Sequence, residues 1–190
     1  MHGIRKAFPG VVALDGVELV VQPGEVHVLL GENGAGKSTL MKILSGSVPR
    51  DEGEIEVCGR RVDLATPRAA RNAGIAIIHQ ELALVPQMTV AENIFLGRAP
   101  SRFGVLAWGR MVRDSAALLT QLAADLEPEA LVESLSVAQQ QLVEIARALS
   151  LQARILIMDE PTSALTTRET DRLFETIATL TASGTAIIYI

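Results

Sequence analysis

The stretch with the plainest chemistry is Gly31-Glu32-Asn33-Gly34-Ala35-Gly36-Lys37-Ser38. A glycine, four residues, then Gly-Lys-Ser is the spacing of a phosphate-binding loop. Glycines at 31, 34 and 36 allow a tight turn, and they let backbone approach a polyphosphate with no Cβ in the way. Successive N–H groups then point inward, and a following helix aims its positive end at the anion. Lys37 is placed to reach β- and γ-phosphates, and Ser38 offers a hydroxyl ligand to Mg²⁺. A second candidate lies far along the chain, at Asp159-Glu160. Asp159 suits holding Mg²⁺, directly or through water. Glu160 suits orienting and deprotonating an attacking water. Each stretch alone has a plainer reading: a glycine-rich turn before an ordinary helix, and an acidic turn after a core strand. Together they point to nucleoside triphosphate chemistry.

These residues need elements to position them. Val26, Val28, Leu29 and Leu30 predict a buried strand into the loop. Leu40, Ile43 and Leu44 predict one face of a helix after it, with Gly46 as C-cap. Ile155–Met158 is apolar without alternation, the pattern of a strand covered on both faces, and its tip carries Asp159 and Glu160. Ile75–Ile78 predicts a strand delivering His79-Gln80-Glu81 at its carboxyl end, where α/β sheets place ligand contacts. Upstream, Val11–Leu14 and Val17–Val21 read as strands, and Gly53–Val62 as a half-exposed strand turning at Gly59-Arg60. Thr66-Pro67 opens a short helix that Gly74 ends. From residue 82 to 150 the periodicity is helical. Capping boxes start at Thr89 and Ser136, a loop covers 98–108, and a helix over 111–126 is stopped by Pro128. Thr166 caps a last helix that Gly184 ends, and residues 185–190 begin another buried strand. The expected organisation is an α/β core, residues 1–81 and 151–190, interrupted by an all-helical insertion, residues 82–150.

Composition sets outer bounds. The 190 residues fit one domain, or one core with an insertion. Apolar residues make up 48% and aromatics 3%, so the core is large and aliphatic. A net charge of −5 with no basic run argues against electrostatic binding of nucleic acid. The single Cys58 excludes an internal disulfide and fits a reducing compartment. No apolar run approaches the roughly 20 residues that span a bilayer, so a membrane role would come through a partner.

Over nearly its whole length the chain resembles an ABC-transporter nucleotide-binding domain. More closely, it is similar to the N-terminal ATPase half of bacterial monosaccharide importers of the ribose/galactose/xylose type. The phrases that carry this are Lys6-Ala7-Phe8-Pro9-Gly10-Val11, the loop extended by Thr39-Leu40-Met41-Lys42, and His79-Gln80-Glu81-Leu82. Further on come residues 89–98, Leu135-Ser136-Val137-Ala138-Gln139-Gln140-Gln141, and Met158-Asp159-Glu160-Pro161-Thr162-Ser163-Ala164-Leu165-Thr166. The resemblance implies a P-loop NTPase: a RecA-like parallel-sheet core with an antiparallel β subdomain and the helical insertion. It implies ATP and Mg²⁺ as cofactors. Residues 31–39 would hold the phosphates and Phe8 would stack on adenine. Gln80 would contact Mg²⁺ and the attacking water. Ser136, Val137, Ala138 and Gln139 would form the signature loop, which meets the ATP of a second, head-to-tail ATPase domain. Integral membrane permease subunits are the implied partners, with a periplasmic sugar-binding protein acting indirectly. The implied location is the cytoplasmic face of the bacterial inner membrane.

Three departures from the family pattern stand out. Val137 and Ala138 replace the two glycines of the usual Leu-Ser-Gly-Gly-Gln. Thr166 stands where the loop after Glu160 usually ends in Asp. The family's switch histidine is expected beyond Ile190, and the chain begins inside the expected first strand, so it reads as a domain truncated at both ends that binds ATP better than it hydrolyses it. Two other functions compete with sugar import: a non-catalytic regulatory half of such a motor, and a soluble ABC ATPase with no permease.

Overall fold

The computed structural model describes every residue except 33, 80, 81, 103 and 164, and the side chain of Arg102. The chain opens as an antiparallel hairpin, β1 (His2–Phe8) and β2 (Val11–Val17). β3 (Val26–Val28) leads through residues 29–36 into α1 (Lys37–Leu44). β4 (Glu52–Glu54) pairs with the other edge of β1, giving the order β2-β1-β4. β5 (Glu56–Val57) and β6 (Arg60–Arg61) form a small hairpin. Next come α2 (Pro67–Asn72), β7 (Ile75–Ile78) and α3 (Val90–Ile94). β8 (Ser101–Arg102) and β9 (Val105–Leu106) precede α4 (Trp108–Gln121), a 3₁₀ turn (Val132–Ser134) and α5 (Val137–Leu149). β10 (Ile155–Met158), α6 (Thr167–Ala182) and β11 (Ala186–Tyr189) follow.

The central sheet is parallel, in the order β3-β11-β10-β7. Its strands therefore all release the chain on the same side, which is what brings distant loops together. The unalternating apolar runs are explained by cover on both faces. Leu156, Met158, Ile78 and Ile187 face a layer built from Val143 and Ile145 of α5 and Leu173, Ile177 and Leu180 of α6. Ile157, Ile75 and Ile188 face the other way, onto Leu40, Met41, Ile43 and Leu44 of α1 and onto Ile4 and Leu14 of the antiparallel sheet. Full burial of each such side chain is worth about 1.5–3 kcal/mol. α1 stops where expected: Gly46 takes φ 73°, its N–H donates to Ile43 O, and the Ser47 N–H reaches back to Lys42 O.

The structure departs from the sequence reading in five places. The strand expected to be buried before the loop is β3, an edge strand with Val26, Val28 and Leu30 exposed. The helix expected over 111–126 is α4, which ends at Gln121, well short of Pro128. The ladder of β2 ends at Val17, so 18–21 is not a strand. Leu19 is buried there, and its carbonyl accepts from the Met1 amino group at 2.8 Å; the apolar run marks a core contact. The single strand expected over 53–62 is three short ones, β4, β5 and β6. The loop expected over 98–108 holds the β8–β9 hairpin, with Gly104 at φ 79° beside its turn.

Candidate functional site

The loop after β3 is shaped by its glycines. Gly36 sits at φ 86° directly before α1, and a Cβ there would lie 2.6 Å from Ala13 O and 2.8 Å from Leu14 Cδ2 of β2. Gly34 also takes positive φ, with open space around it. Lys37 lies back across the loop, its Nζ donating to Gly31 O at 2.6 Å and Glu32 O at 3.0 Å. Gly31, Glu32, Gly34, Ala35 and Ser38 are exposed, while Lys37 and Thr39 are half-buried. α1 has no side-chain cap and no acid in its first turn, whereas α2, α3, α5 and α6 are capped by Thr66, Thr89, Ser136 and Thr166. The positive end of α1 is thus uncompensated by its own first turn, a setting that suits an anion.

The second half of the site sits two strands away. The Leu29 N–H donates to Tyr189 O, and the Glu160 N–H donates to Ile190 O at 3.2 Å. The end of β11 thereby holds both the loop and the acidic pair, at a separation of two strand spacings, roughly 10 Å. The Asp159 N–H is fixed to Ile78 O at 3.1 Å. Glu160 is exposed and takes φ 45°, a strained value for a residue with a Cβ. Asn33 and Gln80, expected at the phosphates and the metal, lie outside the described residues, as do Glu81 and Ala164.

Phe8 ends β1 and is 43% exposed. The Lys6 ammonium stands 5.5 Å from its ring centroid. Asp51 anchors that ammonium, accepting from Lys6 Nζ at 2.6 Å and from the Ala7 N–H at 2.8 Å. These bonds, the Lys6 one foremost, hold the Asp51 carboxyl below the usual range. Lys6 and Asp51 were not legible as a unit, because they stand 45 residues apart in sequence.

Ser136 begins α5 with a full capping box: its N–H donates to Gln139 Oε1 at 3.0 Å, and the Gln139 N–H donates to its Oγ at 3.3 Å. Val137 and Ala138 lie in the first helical turn, and neither takes positive φ, so no glycine is required there for backbone geometry. The cleft of about 220 Å³ beside this turn is lined by Leu165 and by Glu169, Arg172 and Leu173 of α6. No described residue of the phosphate loop lines it. Thr166 has a local task as well, as N-cap of α6 in a box with Glu169, whose carboxyl is lowered by the Thr166 N–H and hydroxyl.

A family model described as ABC transporter matches residues 14–163. The chain belongs to the ABC transporter family. It is 58% identical over 191 residues to the ribose import ATP-binding protein RbsA of Chromobacterium violaceum, covering 100% of this chain and 38% of that protein. To the RbsA of Rhodopirellula baltica it is 58% identical over 188 residues, 98% of this chain and 37% of the relative. This ABC-family chain thus spans under two-fifths of the curated relatives it matches. Among solved structures, a nucleotide-free ATP-binding cassette from an ABC transporter superposes with a TM-score of 0.87 at 28% identity, covering 100% of this chain and 79% of that one. The ABC cassette fold is therefore the fold of this chain. No helix among the described residues is long and apolar enough to cross a membrane.

Proposed function

We propose that this chain binds ATP with Mg²⁺ and, within a longer protein, hydrolyses it to power import of a monosaccharide through a separate membrane permease. The observation that carries the reading is the carboxyl end of one parallel sheet, which releases an uncapped helix start with Lys37 and, two strands across, Asp159 and Glu160. The ribose import proteins among its relatives support sugar as the cargo.

The donor set fits the cofactors. The amides of the first turn of α1 and the loop meet the phosphates, and Lys37 exchanges its two carbonyl partners for phosphate oxygens, which form stronger charge-assisted bonds. The Ser38 hydroxyl, the Asp159 carboxylate and the Gln80 amide would hold Mg²⁺, which when bound neutralises charge on the β- and γ-phosphates. Glu160 takes the proton of the attacking water on its carboxylate. Phe8 offers a ring face to adenine.

The turn at Ser136, Val137, Ala138 and Gln139 serves the ATP of a second ATPase domain packed head to tail; its placement beside α6, away from its own phosphate loop, supports this. Residues 1–81 and 151–190 act as the nucleotide core and residues 82–150 as the arm toward the permease. The protein then works on the cytoplasmic face of a bacterial inner membrane, fed by a periplasmic sugar-binding protein.

The test is uptake of labelled pentoses, hexoses and a nucleoside by the native cell, wild type against genomic Glu160→Gln. Loss of uptake of one sugar, with MgATP binding kept and turnover of the purified protein lowered at least about a hundredfold, is the expected result. Near-normal turnover of Glu160→Gln would reject Glu160 as the base, and unchanged uptake across the panel would mean that the other half of the motor suffices or that this protein does not drive import of these compounds.

A further inference from the structure

One buried polar contact joins the two halves of the proposed chemistry. Gln141 lies on α5 and is only 6% exposed. Its Nε2 donates to Pro161 O at 2.7 Å across a sequence separation of 20 residues. Pro161 is the residue after Glu160 and is itself buried. Gln141 stands one helical turn beyond Val137 and Ala138, at i+4 and i+3, so all three share a face of α5. It also lines the cleft that holds Ser136 and Gln139. Proline has no N–H, so its carbonyl is the one backbone polar group at this position.

We infer that Gln141 is a positioning residue, tying the peptide that follows Glu160 to the helix whose first turn meets the second domain's ATP. The inference rests on the proposed function above. α5 is one unbroken helix of 13 residues. A shift of α5 of about 1 Å along the bond would stretch its 2.7 Å to about 3.7 Å, beyond hydrogen-bonding range, unless Pro161 followed. Glu160 is strained at φ 45°, so its carboxylate direction is sensitive to where the next peptide is held. Docking at the Ser136 turn is thereby transmitted to the carboxylate of the other site, through one amide and one carbonyl.

The test uses the full-length protein in its membrane complex, with steady-state ATP hydrolysis as readout. Gln141→Met keeps length and removes the donor. Gln141→His places a ring N–H the same number of bonds from the backbone and keeps one. The expected result is a kcat about tenfold or more lower in Gln141→Met, with KM for ATP within about twofold and loss of cooperativity in ATP. Gln141→His should recover most of kcat. A normal kcat in Gln141→Met, or equal loss in both variants tracking a fall in melting temperature, would overturn the inference. Glu160→Gln in the same preparation separates this from failure of the parent reading. If Glu160→Gln still hydrolyses ATP, the site assignment is wrong; if it is inactive and Gln141→Met is normal, only the tie is.

Discussion

Replacing Gly36 by alanine gives the sharpest test of how the phosphate loop is built. Two costs add. Holding an L-residue at φ 86° is left-handed backbone, worth roughly 1–2 kcal/mol. The new methyl would sit 2.6 Å from Ala13 O and 2.8 Å from Leu14 Cδ2. The leucine methyl can swing aside, but the carbonyl belongs to a paired strand, so crowding adds roughly 1–3 kcal/mol. The sum, about 2–5 kcal/mol, is a large share of the 5–15 kcal/mol typical of a domain. Gly34→Ala is the internal control. It has the same handedness, φ 87°, and nothing within 4 Å of the added methyl, so it should lose only the backbone part. In urea, with a slope of about 3 kcal/mol per molar, Gly36→Ala should move the midpoint down by about 0.7–1.7 M and Gly34→Ala by about 0.3–0.7 M. Equal shifts in the two variants would refute the contact with β2 as the reason for Gly36. An unmoved midpoint in Gly36→Ala would refute both terms.

Thr166→Ala should cost about 1 kcal/mol, read as a lower melting temperature, since it removes the acceptor for the Glu169 N–H. Phe8→Ala should weaken ATP binding by the stacking energy of one base, about 1–3 kcal/mol or roughly five- to 150-fold in Kd, while Phe8→Trp keeps it; titration calorimetry reads both. The carboxyls of Glu18, Glu25, Asp51 and Glu169 all sit below their ordinary values. Their stabilisation is complete above the unfolded values of 3.8 to 4.5 and is lost as pH falls through the lowered ones. Stability measured by denaturant should therefore vary little through these groups between pH 6 and 8 and fall below about pH 4.

Much of the framework that carries the candidate site was legible because its signals are local. The phosphate loop is eight adjacent residues, and the buried strand at 155–158 declares itself by lacking alternation. Gly46 and the boxes at Thr89 and Ser136 satisfy helix-end groups within four residues of themselves, so short windows suffice. What escaped is non-local or chemically quiet. β1 buries only Ile4 fully and shows no clean alternation, so its own pattern does not announce a strand, and only the family resemblance places one at the start of the chain. Leu19 looks like strand because burial alone makes a residue apolar, whatever its backbone pairs with. The Lys6–Asp51 pair and the Gln141–Pro161 bond depend on three-dimensional neighbours that no window contains.

The order of strands in the parallel sheet has a consequence for how the molecule breathes. β10 is flanked by β11 and β7 and has fully buried residues on both faces, while β3 is an edge strand with Val26 and Val28 exposed. Amides in β10 should exchange with deuterium only when the whole domain unfolds, and those around β3 through smaller local openings. The acidic pair that would cut the phosphate is thus mounted on the least yielding part of the chain, and the loop that would grip it on a part able to give. Mild heat or denaturant should then release nucleotide well before the cleavage machinery loses its shape.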